Sequence, residues 1–136
     1  MNILELYDLA AENNIQIDHR RLNTMKSFAI PGNIVIDLSQ LQTLAETKVC
    51  LSHELGHEFK NAFYNIHNTF ETRGRQEERA NRWSVHNLLP VSDLNRAVES
   101  GITEVWELAE HFDVTEDFIR DALRLYTMEG TLETAN

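Results

Sequence analysis

Along most of this chain apolar positions recur at intervals of three and four, the spacing of a helix face, and only one short region departs from that period. Near the start, Ile3, Leu6, Leu9 and Ala10 share one side, which predicts a short amphipathic helix running out at the Asn13-Asn14 pair. The runs SFAI (27–30) and NIVID (33–37) flank Pro31-Gly32. A turn-forming pair between β-branched and aromatic residues predicts two strands joined as a hairpin, with Ile15 and Ile17 contributing to the sheet.

Ser39 is placed to cap a helix running through 41–64, which a break near Thr43 would divide. The stretch NIHNTFETRGRQ (65–76) lacks periodicity and contains Gly74, so a loop is predicted there. A helix is expected from about Gln76 to Leu89, stopping at Pro90. Further helices are expected over Ser92–Ser100, over Thr103–Phe112, and from Thr115 to near Gly130, followed by a frayed tail, TLETAN (131–136). This succession predicts an α+β fold, mostly helical, with a small hairpin or sheet.

The length of 136 residues fits a single domain spanning 1–136. An apolar fraction of 42% and a charged fraction of 25% are ordinary for a globular chain and argue against disorder. No stretch approaches the ~18 apolar residues of a membrane span, and the N-terminus lacks the basic start and apolar run of a signal peptide, so a cytoplasmic protein is expected. Cys50 is the only cysteine, which rules out an intramolecular disulfide and disfavours a cysteine-based zinc site.

The net charge of −10 opposes attraction to nucleic acid or an acidic membrane surface. That charge is uneven: the first 91 residues carry 11 acidic and 9 basic side chains, the remainder 11 and 3. The chain thus divides into a nearly neutral core region (1–90) and an acidic helical subregion (91–130).

His53-Glu54-Leu55-Gly56-His57 is an H-E-x-x-H sequence within a helix-compatible stretch. Residues four apart share a helical face, so both imidazoles can reach one ion, with Glu54 beside it. Zinc suits two neutral imidazoles and a carboxylate, with a fourth position open to water, whose proton Glu54 can take as the water attacks a carbonyl. Two helical histidines and a glutamate on a solvated face would look the same, so a third ligand decides.

The extended H-E-x-x-H-x-x-G-x-x-H form is excluded, because Lys60 and Phe63 occupy its glycine and third-histidine positions. Cys50, three residues before the motif on the same helix, is a poor ligand and a better core residue. A carboxylate on a following helix remains. Glu77 lies twenty residues after His57, beyond a stretch long enough to reverse the chain, and Asn81 one turn later can accept the N–H of a ligating imidazole. Glu78 is the rival ligand. Glu77 is preferred because it shares a face with Ala80, Asn81 and Ser84, whereas Glu78 and Arg82 form an i,i+4 pair typical of exposed faces.

These residues resemble the ImmA/IrrE-type metallopeptidases. The resemblance rests on the turn-bearing strand pair, the helix V-C-L-S-H-E-L-G-H and the run E-E-R-A-N-R-W-S-V-H-N-L-L-P, together covering Phe28 to Pro90. The family's E-x-x-A-N pattern falls on Glu77, Ala80 and Asn81, followed by Leu88 and Leu89; Trp83 stands at the aromatic position and Pro90 comes directly after the leucines. The resemblance implies a gluzincin-like site, with zinc held by His53, His57 and Glu77 and with Glu54 as acid/base. It also implies a protein substrate, a helix-turn-helix repressor of a phage or mobile element.

Tyr64 and His67 fall in or near the segment between the two ligand-bearing helices, where either can donate to a developing oxyanion. His86, nine residues after Glu77, falls on the opposite side of its helix. The segment from Leu108 to Ile119 resembles a helix-turn-helix, but its second helix carries Glu116, Asp117 and Asp121, unsuited to DNA. Trp106, Leu108, Phe112, Val114, Phe118, Ile119 and Leu123 are therefore expected in the core, with an acidic outer face suited to a basic partner such as a DNA-binding repressor. Two classes of function follow: a zinc endopeptidase, or a zinc-containing anti-repressor that binds without cutting. DNA binding would require Arg73, Arg75, Arg79 and Arg82 to form a patch.

Overall fold

The computed structural model describes residues 1–132; the tail expected at 131–136 lies mostly outside them. Asn2 opens the first helix by accepting the Glu5 N–H on its side chain, and α1 (Ile3–Glu12) buries Leu6 and Ala10. Three strands follow: β1 (Gln16–His19), β2 (Ser27–Ile30) and β3 (Asn33–Ile36). The expected hairpin is β2 against β3, antiparallel, with Ile30 opposite Asn33 across the Pro31-Gly32 turn. Gly32 takes φ +81°, a conformation glycine adopts without a Cβ penalty.

Around Ile17 the chain forms a full strand, β1, parallel to β3 with Ile17 beside Ile34. The order β1-β3-β2 leaves β3 central, with Ile34, Val35 and Ile36 buried, and β2 as an edge.

Asp37 ends β3 and is itself buried. Its carboxylate accepts the Leu22 N–H at 2.8 Å, the Ser39 N–H at 3.0 Å, the Ser39 hydroxyl and the Gln40 amide at 2.9 Å. Asp37 therefore caps the short 3-10 turn Leu38–Gln40, within which Ser39 lies instead of capping the helix that follows, and it also pins the loop after β1. Those donors hold its carboxyl far below the usual carboxylate range. A carboxylate held low in the folded state stabilises the fold fully above its unfolded value of about 3.9, and that contribution fades as pH falls below it. Urea midpoints should therefore drop between pH 6 and pH 3, and Asp37→Asn should flatten that dependence while lowering the midpoint at pH 6.

Thr43 caps α2 (Leu44–Phe59), accepting the Glu46 N–H while the Glu46 carboxylate accepts the Gln42 N–H. The helix stops five residues short of the expected Tyr64: Asn61 turns into the left-handed region at φ 50°, and the Ala62 N–H bonds back to the His57 carbonyl. The next helix, α3 (Phe70–Leu88), starts six residues earlier than its composition suggests. Thr69 accepts the Thr72 N–H, and Glu71 pairs with Arg75 across one turn, which carries the helix through Gly74.

Beyond Pro90 lie α4 (Val91–Glu99), α5 (Val105–Phe112) and α6 (Glu116–Glu129). Leu6, Ile34, Ile36, Leu51, Leu55, Leu89, Leu94, Leu108, Ile119 and Tyr126 are all fully buried, so both ends of the described chain share one core, and the molecule is a single α+β domain. In the C-terminal pair Leu108, Val114, Phe118 and Ile119 are buried as expected, and Phe112 and Leu123 pack at the core's edge. Trp106 does not: it is 54% exposed, because α5 turns the Leu108–Ala109 side inward.

Three contacts fix α6 behind α3. The Tyr126 hydroxyl donates to the Leu89 carbonyl at 2.6 Å, Arg124 meets Glu78 at 3.5 Å, and Glu129 lies 3.2 Å from His86. Glu78 and Arg82 thus each reach α6, at Arg124 and Glu129, instead of pairing with one another. On the other flank the buried Lys48 ammonium donates to the Phe112 carbonyl at 2.9 Å, satisfying an acceptor at the C-terminal end of α5.

Candidate metal centre

The centre lies where α2 and α3 touch most closely. Gly56 makes that approach possible: a Cβ there would fall 2.3 Å from the Ala80 carbonyl oxygen. The buried Ser52 and Ser84 hydroxyls bond across the same seam, and Arg79 reaches from α3 to the Lys60 carbonyl at 2.8 Å. Backbone contact at Gly56 brings Glu77, one turn before Ala80, up to the His53 and His57 face of α2.

His53 Nε2 is 3.2 Å from His57 Nε2 and 2.7 Å from Glu77 Oε2, and His57 Nε2 is 3.3 Å from Glu77 Oε1. Neighbouring ligand atoms around a tetrahedral ion bound at about 2.0–2.1 Å are about 3.3 Å apart. The His57 Nδ1–H donates to the Ala62 carbonyl at 2.6 Å, and because a carbonyl only accepts, the Nε2 lone pair is left facing the other two ligands. His53, His57 and Glu77 can therefore hold a metal ion. Glu78 points to α6 and plays no part.

Glu54 is 4% exposed and lies beside this cluster, its Oε1 4.0 Å from His57 Nε2. Burial raises its pKa, against the pull of a Ser27 hydrogen bond and the two imidazoles. The imidazoles of His53 and His57 hold Glu77 well below the usual carboxylate range. Burial, then the bond to Glu77, pushes the Tyr64 hydroxyl up to about 12.

A cleft opens over these side chains. Its walls are β2 with Phe28, Ala29 and Ile30, and the 60–69 loop with Phe63, Tyr64 and Ile66. Tyr64 reaches the centre and donates to Glu77 Oε1 at 2.6 Å. His67 does not line the cleft; it is exposed, and its backbone N–H donates to Asn65. Asn81 lines a second cavity together with His53 and Ser84, and makes no hydrogen bond to either imidazole among the described residues; a backbone carbonyl holds His57 instead. His86 is turned away toward Glu129.

Two neighbours carry no signal that sequence reasoning used. Ser27, the first residue of β2, lines the cleft with Glu54 and accepts the Cys50 thiol at 3.0 Å. Arg73 lines the cleft one turn before Glu77. The i,i+4 spacing to Glu77 could have identified Arg73 once the helix start was placed correctly, whereas only tertiary structure joins Ser27 to Glu54.

No curated protein matches the chain. Among solved structures, a Mycobacterium tuberculosis transcriptional regulator is similar, with a TM-score of 0.69 and 17% sequence identity over 88% of this chain and 40% of that one. The chain thus spans 40% of that regulator's length, and the likeness establishes a common fold. A peptidase family model, described as the IrrE N-terminal-like domain, matches residues 11–124. That match runs from the end of α1 into α6 and takes in His53, Glu54, His57 and Glu77, so the chain belongs to the IrrE N-terminal-like peptidase family.

Proposed function

We propose that the chain is a zinc-dependent endopeptidase whose substrate is a DNA-binding repressor. The observation that carries this reading is Glu54, a buried carboxylate beside the His53, His57 and Glu77 cluster but outside the ligand set. Burying such a group costs stability, and its position at a metal cluster in an open cleft is where general bases are found. Zinc held by the three ligands supplies Lewis acidity, making a water molecule acidic near neutral pH and polarising a carbonyl.

The chain's own groups do the rest. Glu54 takes the proton of the attacking water on a carboxylate oxygen and returns it to the departing amine nitrogen. Ser27 lines the same cleft as Glu54. Tyr64 lines the cleft, and its hydroxyl, which donates to Glu77 Oε1, would serve as the donor to the oxyanion once turned from that carboxylate. The repressor substrate rests on the family resemblance and on the acidic C-terminal region, where Glu110 and Asp121 are exposed on α5 and α6 and would complement a basic partner.

Metal analysis should find one zinc per chain. His57→Ala should lower zinc affinity by roughly 100-fold or more, since the loss of a direct ligand exceeds the effect of an outer partner. Unchanged zinc binding in that variant would remove His57 from the centre. The reaction itself is tested by incubating the zinc-loaded chain with a helix-turn-helix repressor and weighing the products by mass spectrometry. Discrete fragments support the peptidase, whereas a stable complex with no cut would favour an anti-repressor that acts by binding.

A further inference from the structure

Arg73 precedes Glu77 by one turn of α3, an offset of roughly 6 Å along the helix axis. Its guanidinium carbon sits 5.4 Å from the centre of the Tyr64 ring, within the cleft that holds His53, Glu54 and His57. The other arginines of this helix are engaged: Arg75 with Glu71, Arg79 with Gln76 and the Lys60 carbonyl, and Arg82 with Glu129. They form no free basic patch.

Arg73 alone on this helix has no carboxylate or carbonyl partner for its guanidinium among the described residues, in a chain with 22 acidic and 12 basic side chains. The cleft around it is walled by Phe28, Ile30, Phe63 and Ile66. An exposed arginine steadied on an aromatic face, with no acceptor of its own, suits bidentate capture of a carboxylate.

We infer that Arg73 is a specificity-determining residue that binds a carboxylate of the peptide substrate near the scissile bond; this rests on the peptidase reading above. The carboxylate is either an acidic side chain or the peptide's own C-terminus.

The test measures binding rather than turnover. Fluorescein-labelled decapeptides of apolar and serine residues, C-terminally amidated and carrying a central Glu, Gln or Lys, are titrated by anisotropy into the full-length Glu54→Gln chain loaded with zinc. A fourth peptide has no acidic side chain and a free C-terminus. The Glu peptide should bind about threefold more tightly than its Gln counterpart, the scale expected of an exposed ion pair. Adding Arg73→Ala should abolish the difference, Arg73→Glu should turn the preference toward Lys, and Arg73→Lys should restore part of it. If the free-acid peptide shows the Arg73-dependent gain instead, the carboxylate is the chain terminus. Equal binding of all four peptides, or no measurable binding, overturns the inference. Failure of the peptidase reading is seen separately, as wild-type protein that discriminates among these peptides by charge yet cuts none of them.

Discussion

Replacing Glu54 by Gln should reduce peptide cleavage by about 1,000-fold while leaving zinc content and fold intact. The substitution keeps the shape of the side chain and removes the ability to accept a proton, a loss that typically costs 10²–10⁴-fold. Because Glu54 is 4% exposed and burial already raises its pKa, the neutral amide relieves a desolvation cost. The variant should therefore melt no lower than the wild type. Cleavage rate, metal content and Tm measured on the same preparation check all three expectations. A variant that cuts at the wild-type rate would show that Glu54 is not the base.

Gly56→Ala should have the largest structural effect. Helix propensity alone favours alanine by about 1 kcal/mol, so an exposed glycine in the same helix would gain stability. Here the added Cβ would lie 2.3 Å from the Ala80 carbonyl oxygen and 2.9 Å from both its carbonyl carbon and its Cα. All three are backbone atoms and cannot rotate aside, so α3 has to move outward by about 1 Å to restore ordinary contact. Overpacking of this kind costs about 1–3 kcal/mol, which outweighs the propensity gain.

The shift also carries Glu77 away from His53 and His57, so zinc affinity should fall at least tenfold as well. Thermal unfolding of the metal-free protein and a competitive zinc titration separate the two effects. A rise in Tm would mean that the helices are not in backbone contact at this point.

The parts legible in sequence were those set by local periodicity. The β2–β3 hairpin followed from Pro31-Gly32 between apolar runs, and the shared face of His53 and His57 followed from a spacing of four on an uninterrupted helix. The choice of Glu77 over Glu78 could be reasoned from the small or polar residues on its face, two of which, Ala80 and Ser84, meet α2 at the seam.

What escaped was set by contacts distant in sequence or by termini whose signal was masked. Polar composition and Gly74 hid the first six residues of α3, although Thr69 and the Glu71–Arg75 pair stabilise them. The end of α2 depended on a left-handed residue, Asn61, that propensity does not single out. The parallel pairing of β1 with β3 joins strands with β2 between them in sequence, which no local pattern encodes. Residue type alone places Trp106 in the core, but the orientation of α5 exposes it.

The left-handed turn after α2 has a genetic consequence. It is the main-chain oxygen at position 62 that meets the His57 ring, and every amino acid carries one. Substitution cannot delete this partner; it can only crowd it, since Ala62 is fully buried. The tautomer of His57 is thereby insulated from point mutation in a way that a side-chain partner such as Asn81 could not provide.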